Sequence, residues 1–166
     1  MSVNIVEHLR RVEVFGGLTD EETLQIASLC RVQKMGANQA VFNEGDDGDE
    51  LIIIMEGCVR VSLITRSSQG TMTPNTINML YGGQSFGEMV LLGGATRSAT
   101  VTCVDPCVFL VIKEREFASL CDKNPRIGYK VMRNMASDLS YKLRSSNLLL
   151  RGNIRWQAGE LGRRSS

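Results

Sequence analysis

Phe86-Gly87-Glu88-Met89-Val90-Leu91-Leu92, followed after a short gap by Arg97-Ser98-Ala99-Thr100-Val101, is the stretch on which the reading of this chain turns. It sets a glycine and a carboxylate at the start of a short apolar helical turn. An arginine then re-enters on a strand nine positions after the carboxylate. Backbone N–H groups at a helix start suit an anion, and the helix dipole adds to that preference. Arg97 offers a charged fork to the same oxygens. Glu88, acceptor-only when ionised, calls for a donor such as a sugar hydroxyl. The segment therefore reads as a cradle for a small molecule that carries both a phosphate and a sugar.

Outward from the cradle, Arg31 to about Ile112 reads as short strands and turns. The candidate strands are Val32–Met35, Ala40–Asn43, Leu51–Met55, Val59–Ile64, Thr76–Tyr81, Ala99–Cys103 and Cys107–Ile112. Val59, Val61 and Leu63 alternate as a half-buried strand should. Gly36, Gly45, Gly48 and Gly57 punctuate the strand-like runs as turn residues. This spacing predicts an antiparallel sandwich or barrel. The acidic run Glu44 to Glu50 lacks the ligand alternation of a calcium loop and reads as a hairpin turn. Arg66 to Asn75 reads as a long polar surface loop.

Helices flank the strand region. Thr19 with Glu22 three residues later is a capping-box pattern opening a helix through Leu29. Lys113–Asp122 reads as a short helix. Asn124-Pro125 opens a long one, which the sequence predicts to end near Leu150 with Gly152 as its stop. Ile127, Val131, Met135, Leu139 and Leu143 form a stripe at four-residue steps, suited to core or to a dimer seam. Residues 151–166, rich in arginine, glycine and serine, read as a disordered tail.

Composition narrows the chemistry. The chain has 166 residues and a formal net charge of +1, which gives no global pull toward nucleic acid. It contains no apolar run long enough to span a bilayer and shows no secretory leader, so a cytoplasmic setting is expected. Five scattered cysteines fit reduced thiols. A single histidine, His8, excludes a multi-histidine metal centre, and no metal site or cofactor is expected.

With these residues in register, the chain resembles a cyclic nucleotide-binding domain. The likeness extends from about Val14 to Asn147 and rests on Phe15-Gly-Gly-Leu-Thr-Asp-Glu-Glu, on Gly36 through Asp49, on Met55-Glu-Gly57-Cys-Val59-Arg-Val61, and most specifically on the cassette from Phe86 to Ala99. The resemblance implies a mainly β fold: an antiparallel β-roll or jelly roll over about 31–112, N-terminal helices, and lid helices over about 113–150, all in one domain spanning 1–150. It implies a non-enzymatic sensor of cAMP or cGMP. Arg97 would take the exocyclic phosphate and Glu88 the ribose 2′-hydroxyl. Gly87, Met89 and Val90 would lie against sugar and phosphate, with Ser98 and Ala99 completing the contact.

Base-lid contacts would come from Tyr141, Lys142, Leu143, Arg144 or Ser145. Thr96 replaces the proline usual before the arginine, and Val90 stands where alanine is commonest. Regulators of the catabolite activator type continue into a helix-turn-helix, which takes on the order of fifty residues. Only sixteen follow Leu150, so DNA reading by that route is not expected. A second expectation is an interaction module with a vestigial pocket, homodimerising through the long helix or docking an effector. An enzyme is disfavoured, because no metal cluster or positioned nucleophile accompanies Glu88 and Arg97.

Overall fold

Two runs, Leu51–Met55 and Phe109–Ile112, are apolar at every position, which is what a strand buried on both faces requires. A computed structural model, describing residues 4–163 and the side chains of 4–152, shows why. Leu51, Ile53, Met55, Leu110 and Ile112 pack against helices, while Ile52, Ile54, Phe109 and Val111 face the opposing sheet. Both strands thus separate two cores, and each successive side chain feeds the other one.

The chain runs α1 (Ile5–Arg10), a 3₁₀ turn (Glu13–Phe15), α2 (Asp20–Leu29), and then β1 (Arg31–Met35), β2 (Ala40–Phe42), β3 (Glu50–Glu56), β4 (Cys58–Arg66), β5 (Met72–Tyr81) and β6 (Ser85–Phe86). A second 3₁₀ turn (Glu88–Leu92) leads to β7 (Thr100–Cys103), β8 (Cys107–Lys113), α3 (Glu114–Lys123) and α4 (Pro125–Arg163). The strands form two four-stranded sheets, β1-β8-β3-β6 and β2-β7-β4-β5, with antiparallel pairing throughout. This is the β-roll with flanking helices that the sequence predicts.

The expected capping box is present: the Thr19 hydroxyl accepts from Glu22 N–H and the Glu22 carboxylate from Thr19 N–H, each at 3.2 Å. The cysteines are free thiols. No group of metal-ligating side chains occurs among the described residues, and no helix among them is long and apolar enough to cross a membrane.

Two expectations need correction. The long loop from Arg66 to Asn75 shrinks to a five-residue turn over 67–71, because β4 extends to Arg66 and β5 begins at Met72. Polar side chains are tolerated there because this part of the ribbon is exposed on both faces. Nor does the long helix stop at Gly152. It continues to Arg163, so most of the stretch expected to be a disordered tail is helical. One helical glycine costs only ~1 kcal/mol relative to alanine, too little to end a helix. Gly152 does not enter the left-handed conformation of a helix stop, and no proline follows it. Residues 164–166 of that expected tail lie outside the described residues.

Candidate functional site

The site begins where β6 ends. Gly87 takes a left-handed conformation (φ 76°), which turns the chain from the strand into the 3₁₀ turn at Glu88. Gly93, also left-handed, closes that turn. The chain then returns along the acidic loop: Arg97 N–H donates to the Asp46 carbonyl at 2.8 Å, and Gly45 N–H donates to the Arg97 carbonyl at 2.9 Å. Gly48 N–H donates to the Ala95 carbonyl at 2.8 Å. Backbone bonds from a separate loop therefore fix the arginine before its side chain meets anything.

The Arg97 side chain is 7% exposed. Its guanidinium stacks on the Phe42 ring at 4.1 Å, and one terminal nitrogen donates to the Glu50 carbonyl at 3.1 Å. The other terminal nitrogen and Nε are buried without any partner. Two glycines make room for the group. A Cβ at Gly87 would fall 2.6 Å from the unpartnered terminal nitrogen, and one at Gly48 would overlap Nε outright. Burial pulls the guanidinium below its ordinary pKa, while Glu50, Asp49 and Asp46 pull it back up. Two unsatisfied charged donors in a buried setting are costly, which makes them a standing demand for anionic oxygens. Phe42, Asp49, Arg97 and Lys113 border a cavity of about 260 Å³ on this side.

Glu88 faces a different space. It lines a groove of about 860 Å³ between the end of β5, the first 3₁₀ turn and α4, together with Asn78, Leu80, Asp138, Tyr141 and Lys142. Lys142 reaches across to Glu88 at 3.9 Å and to Asp138, one helical turn back, at 2.7 Å. Burial works against the Lys142 ammonium. The Asp138 hydrogen bond and the charges of Glu88, Asp138 and Glu13 outweigh it and hold the pKa above the ordinary lysine value.

The other sequence-predicted residues divide. Val90 is buried and Met89 is exposed; Ser98 is exposed and Ala99 half-buried. Of the five lid candidates, Tyr141 and Lys142 line the groove, whereas Leu143, Arg144 and Ser145 do not. Sequence reasoning missed Phe42, Gly48 and Asn78. Gly48 carried a signal, because it stands in a glycine-punctuated loop, but its partner lies 49 positions away. Phe42 and Asn78 carried none.

A sequence profile of the cyclic nucleotide-binding domain matches residues 32–124, more than half of the chain, and the chain belongs to that family. It is 30% identical over 117 residues to a cyclic nucleotide-gated potassium channel of Mesorhizobium japonicum, a match covering 70% of this chain and 30% of the channel. Its fold is similar to that of a cyclic nucleotide-binding domain from Methylobacillus flagellatus, with a TM-score of 0.73 and 27% identity over 86% of this chain and 78% of that one. It is also similar to the regulatory domain of Toxoplasma gondii PKA, crystallised with cAMP. There the TM-score is 0.62 and the identity 27%, over 69% of this chain and 42% of that one. The chain spans only 15% to 30% of the length of several curated relatives it matches.

Proposed function

We propose that the chain is a non-enzymatic cyclic nucleotide sensor, binding cAMP or cGMP in the cassette and signalling through α4. The observation that carries this reading is the buried Arg97 guanidinium with two unpartnered nitrogens beside the Gly87 turn. A cyclic phosphate would supply oxygens to those nitrogens once the Arg97 side chain turns toward the Glu88 groove, where the Glu88 carboxylate would accept from the ribose 2′-hydroxyl. Gly87, Met89 and Val90 would lie along sugar and phosphate, with Ser98 and Ala99 at the edge. The base would enter the groove toward Leu80 and Tyr141. Leu143, Arg144 and Ser145 would reach it only if α4 shifts, which is the population change a sensor needs. A setting in the cytoplasm, where such nucleotides are made, fits this reading.

Calorimetric titration with cAMP and cGMP tests it. We expect saturable one-site binding by the native chain, and the preferred base emerges from the ratio of the two affinities. Arg97→Glu should abolish it, since losing one partner of a buried charge pair costs roughly 2–5 kcal/mol. Unchanged affinity in that variant overturns the assignment. Nucleotide recovered intact after long incubation is expected of a sensor, and turnover would make the chain an enzyme.

A second reading, an interaction module with a vestigial pocket, draws on Leu143, Leu148, Leu149 and Leu150, all more than half exposed on α4. Homodimerisation or effector docking through that face would then be insensitive to nucleotide. Light scattering with and without cAMP separates the two readings.

A further inference from the structure

Helix α4 is tied to the rest of the chain by polar contacts at three heights. Arg126 pairs with Glu22 of α2. The Asn134 amide donates to the Val14 and Gly16 carbonyls at 3.1 and 2.9 Å. Lys142 meets Glu88 at 3.9 Å. These residues stand eight apart, so the ties recur about every 12 Å along the helix. The first two fasten α4 to helices and turns. Only the third fastens it to the cassette, and it is the last tie among the described residues. Beyond it, Leu143 and Leu148 to Leu150 are open to solvent.

We propose that Lys142 is a positioning residue that clasps α4 onto the cassette through Glu88 in the nucleotide-free chain. The carboxylate assigned to the sugar hydroxyl would then also be the one that holds the helix. Its ligand-dependent half rests on the sensor reading above; the clasp itself does not. Asp138 lies 2.7 Å from the same ammonium and offers it a second anionic partner one turn away. Lys142 can therefore shift between two carboxylates without either position stranding its charge. A hydroxyl donated into Glu88 changes the balance between them, and α4 feels that change through Lys142. The Lys142 side chain is 58% exposed, so the clasp is weak enough to be moved by one new hydrogen bond.

The test is a double-mutant cycle on the full nucleotide-free chain, read by hydrogen exchange of the α4 amides between 136 and 150. Lys142→Met and Glu88→Gln should each speed exchange about two- to fivefold, the range expected of an exposed ion pair. The double variant should be no faster than the faster single one, and Lys142→Arg should behave as native. Loss of the i, i+4 pair with Asp138 affects Lys142→Met alone, so the cycle removes it. Multiplying effects in the double variant, unchanged exchange in Lys142→Met, or fast exchange in Lys142→Arg would each overturn the clasp. Adding cAMP at a concentration that calorimetry shows to saturate each protein should alter α4 exchange in the native chain and alter it less in Lys142→Met. Equal responses overturn the coupling. A native chain that binds no cyclic nucleotide defeats the sensor reading and leaves the nucleotide-free cycle to decide the clasp.

Discussion

Arg97 and Lys142 both bring a positive charge to the cassette, under opposite physical regimes. Arg97 is 7% exposed, stacked on Phe42 and walled by Gly48 and Gly87. Its packing holds it in essentially one position in the nucleotide-free chain. Lys142 is 58% exposed, shared between Glu88 and Asp138, and carried on a stretch of helix, residues 141–150, that is almost wholly exposed. It holds by weak, salt-screened attraction. A sensor needs both kinds of contact. A rigid anchor turns binding energy into affinity, because little is lost in ordering it. A loose contact turns occupancy into movement.

The same contrast runs along α4 itself, and breaking it there should give the largest effect. Met135 is 3% exposed and belongs to the helix-side core, whereas Leu143, on the same stripe, is 63% exposed. Met135→Ala should cost about 2–5 kcal/mol of stability, the range for emptying a core methionine site. Leu143→Ala should stay within about 0.5 kcal/mol, as exposed positions do. Urea unfolding followed by circular dichroism measures both. A large loss at Leu143 would mean that the far half of α4 is packed in solution, by a partner or by a second copy of the chain.

The rigid end can be broken without touching Arg97. At Gly48 an added methyl would displace the guanidinium rather than the backbone, because the guanidinium is what it meets. Gly48→Ala should therefore weaken cAMP binding about tenfold to a hundredfold, approaching the loss of the arginine itself, while the melting temperature changes little. Native affinity in this variant would show that Arg97 has room to spare.

The smallest expected effect concerns Lys113, at the edge of the Arg97 cavity. Hydrogen bonds that its ammonium donates to Glu50 and then to Asp49 raise its pKa above the ordinary lysine value. A raised folded-state value means that the stabilisation is fully present below the unfolded lysine pKa and is lost as pH rises through the folded one. Melting temperatures of the native chain and Lys113→Met should differ most at neutral pH and converge in the alkaline range. A constant gap across that range would mean that the ammonium's charge contributes nothing.

Much of the fold was legible in the residues. An antiparallel sandwich or barrel followed from short strands with glycine punctuation, and the start of α2 from Thr19 and Glu22, because these signals act over two to four residues; the β-roll itself followed from the family resemblance. What stayed hidden depended on partners far along the chain. The apolar runs of β3 and β8 could not be assigned a core by pattern alone, since every side chain from Leu51 to Met55 and from Phe109 to Ile112 is buried. The end of α4 was misplaced because a glycine stop and a tolerated glycine look alike in sequence. Three of the five lid candidates missed the groove, because helical spacing says which residues share a face but not how far along α4 the barrel reaches.

By itself, then, the sequence determined the inventory of the site: a glycine that can turn left-handed, a carboxylate next to it, and an arginine, which the structure places just ahead of β7 rather than on a strand. Local chemistry dictates those, and no distant residue is needed to recognise them. Only the tertiary structure decided what each group is ready to do. It buried Arg97 between two glycines contributed by loops 39 positions apart and left two of its nitrogens without partners. It also set Glu88 in an open groove within reach of Lys142. Burial and reach are properties of packed elements, so pattern along the chain cannot encode them.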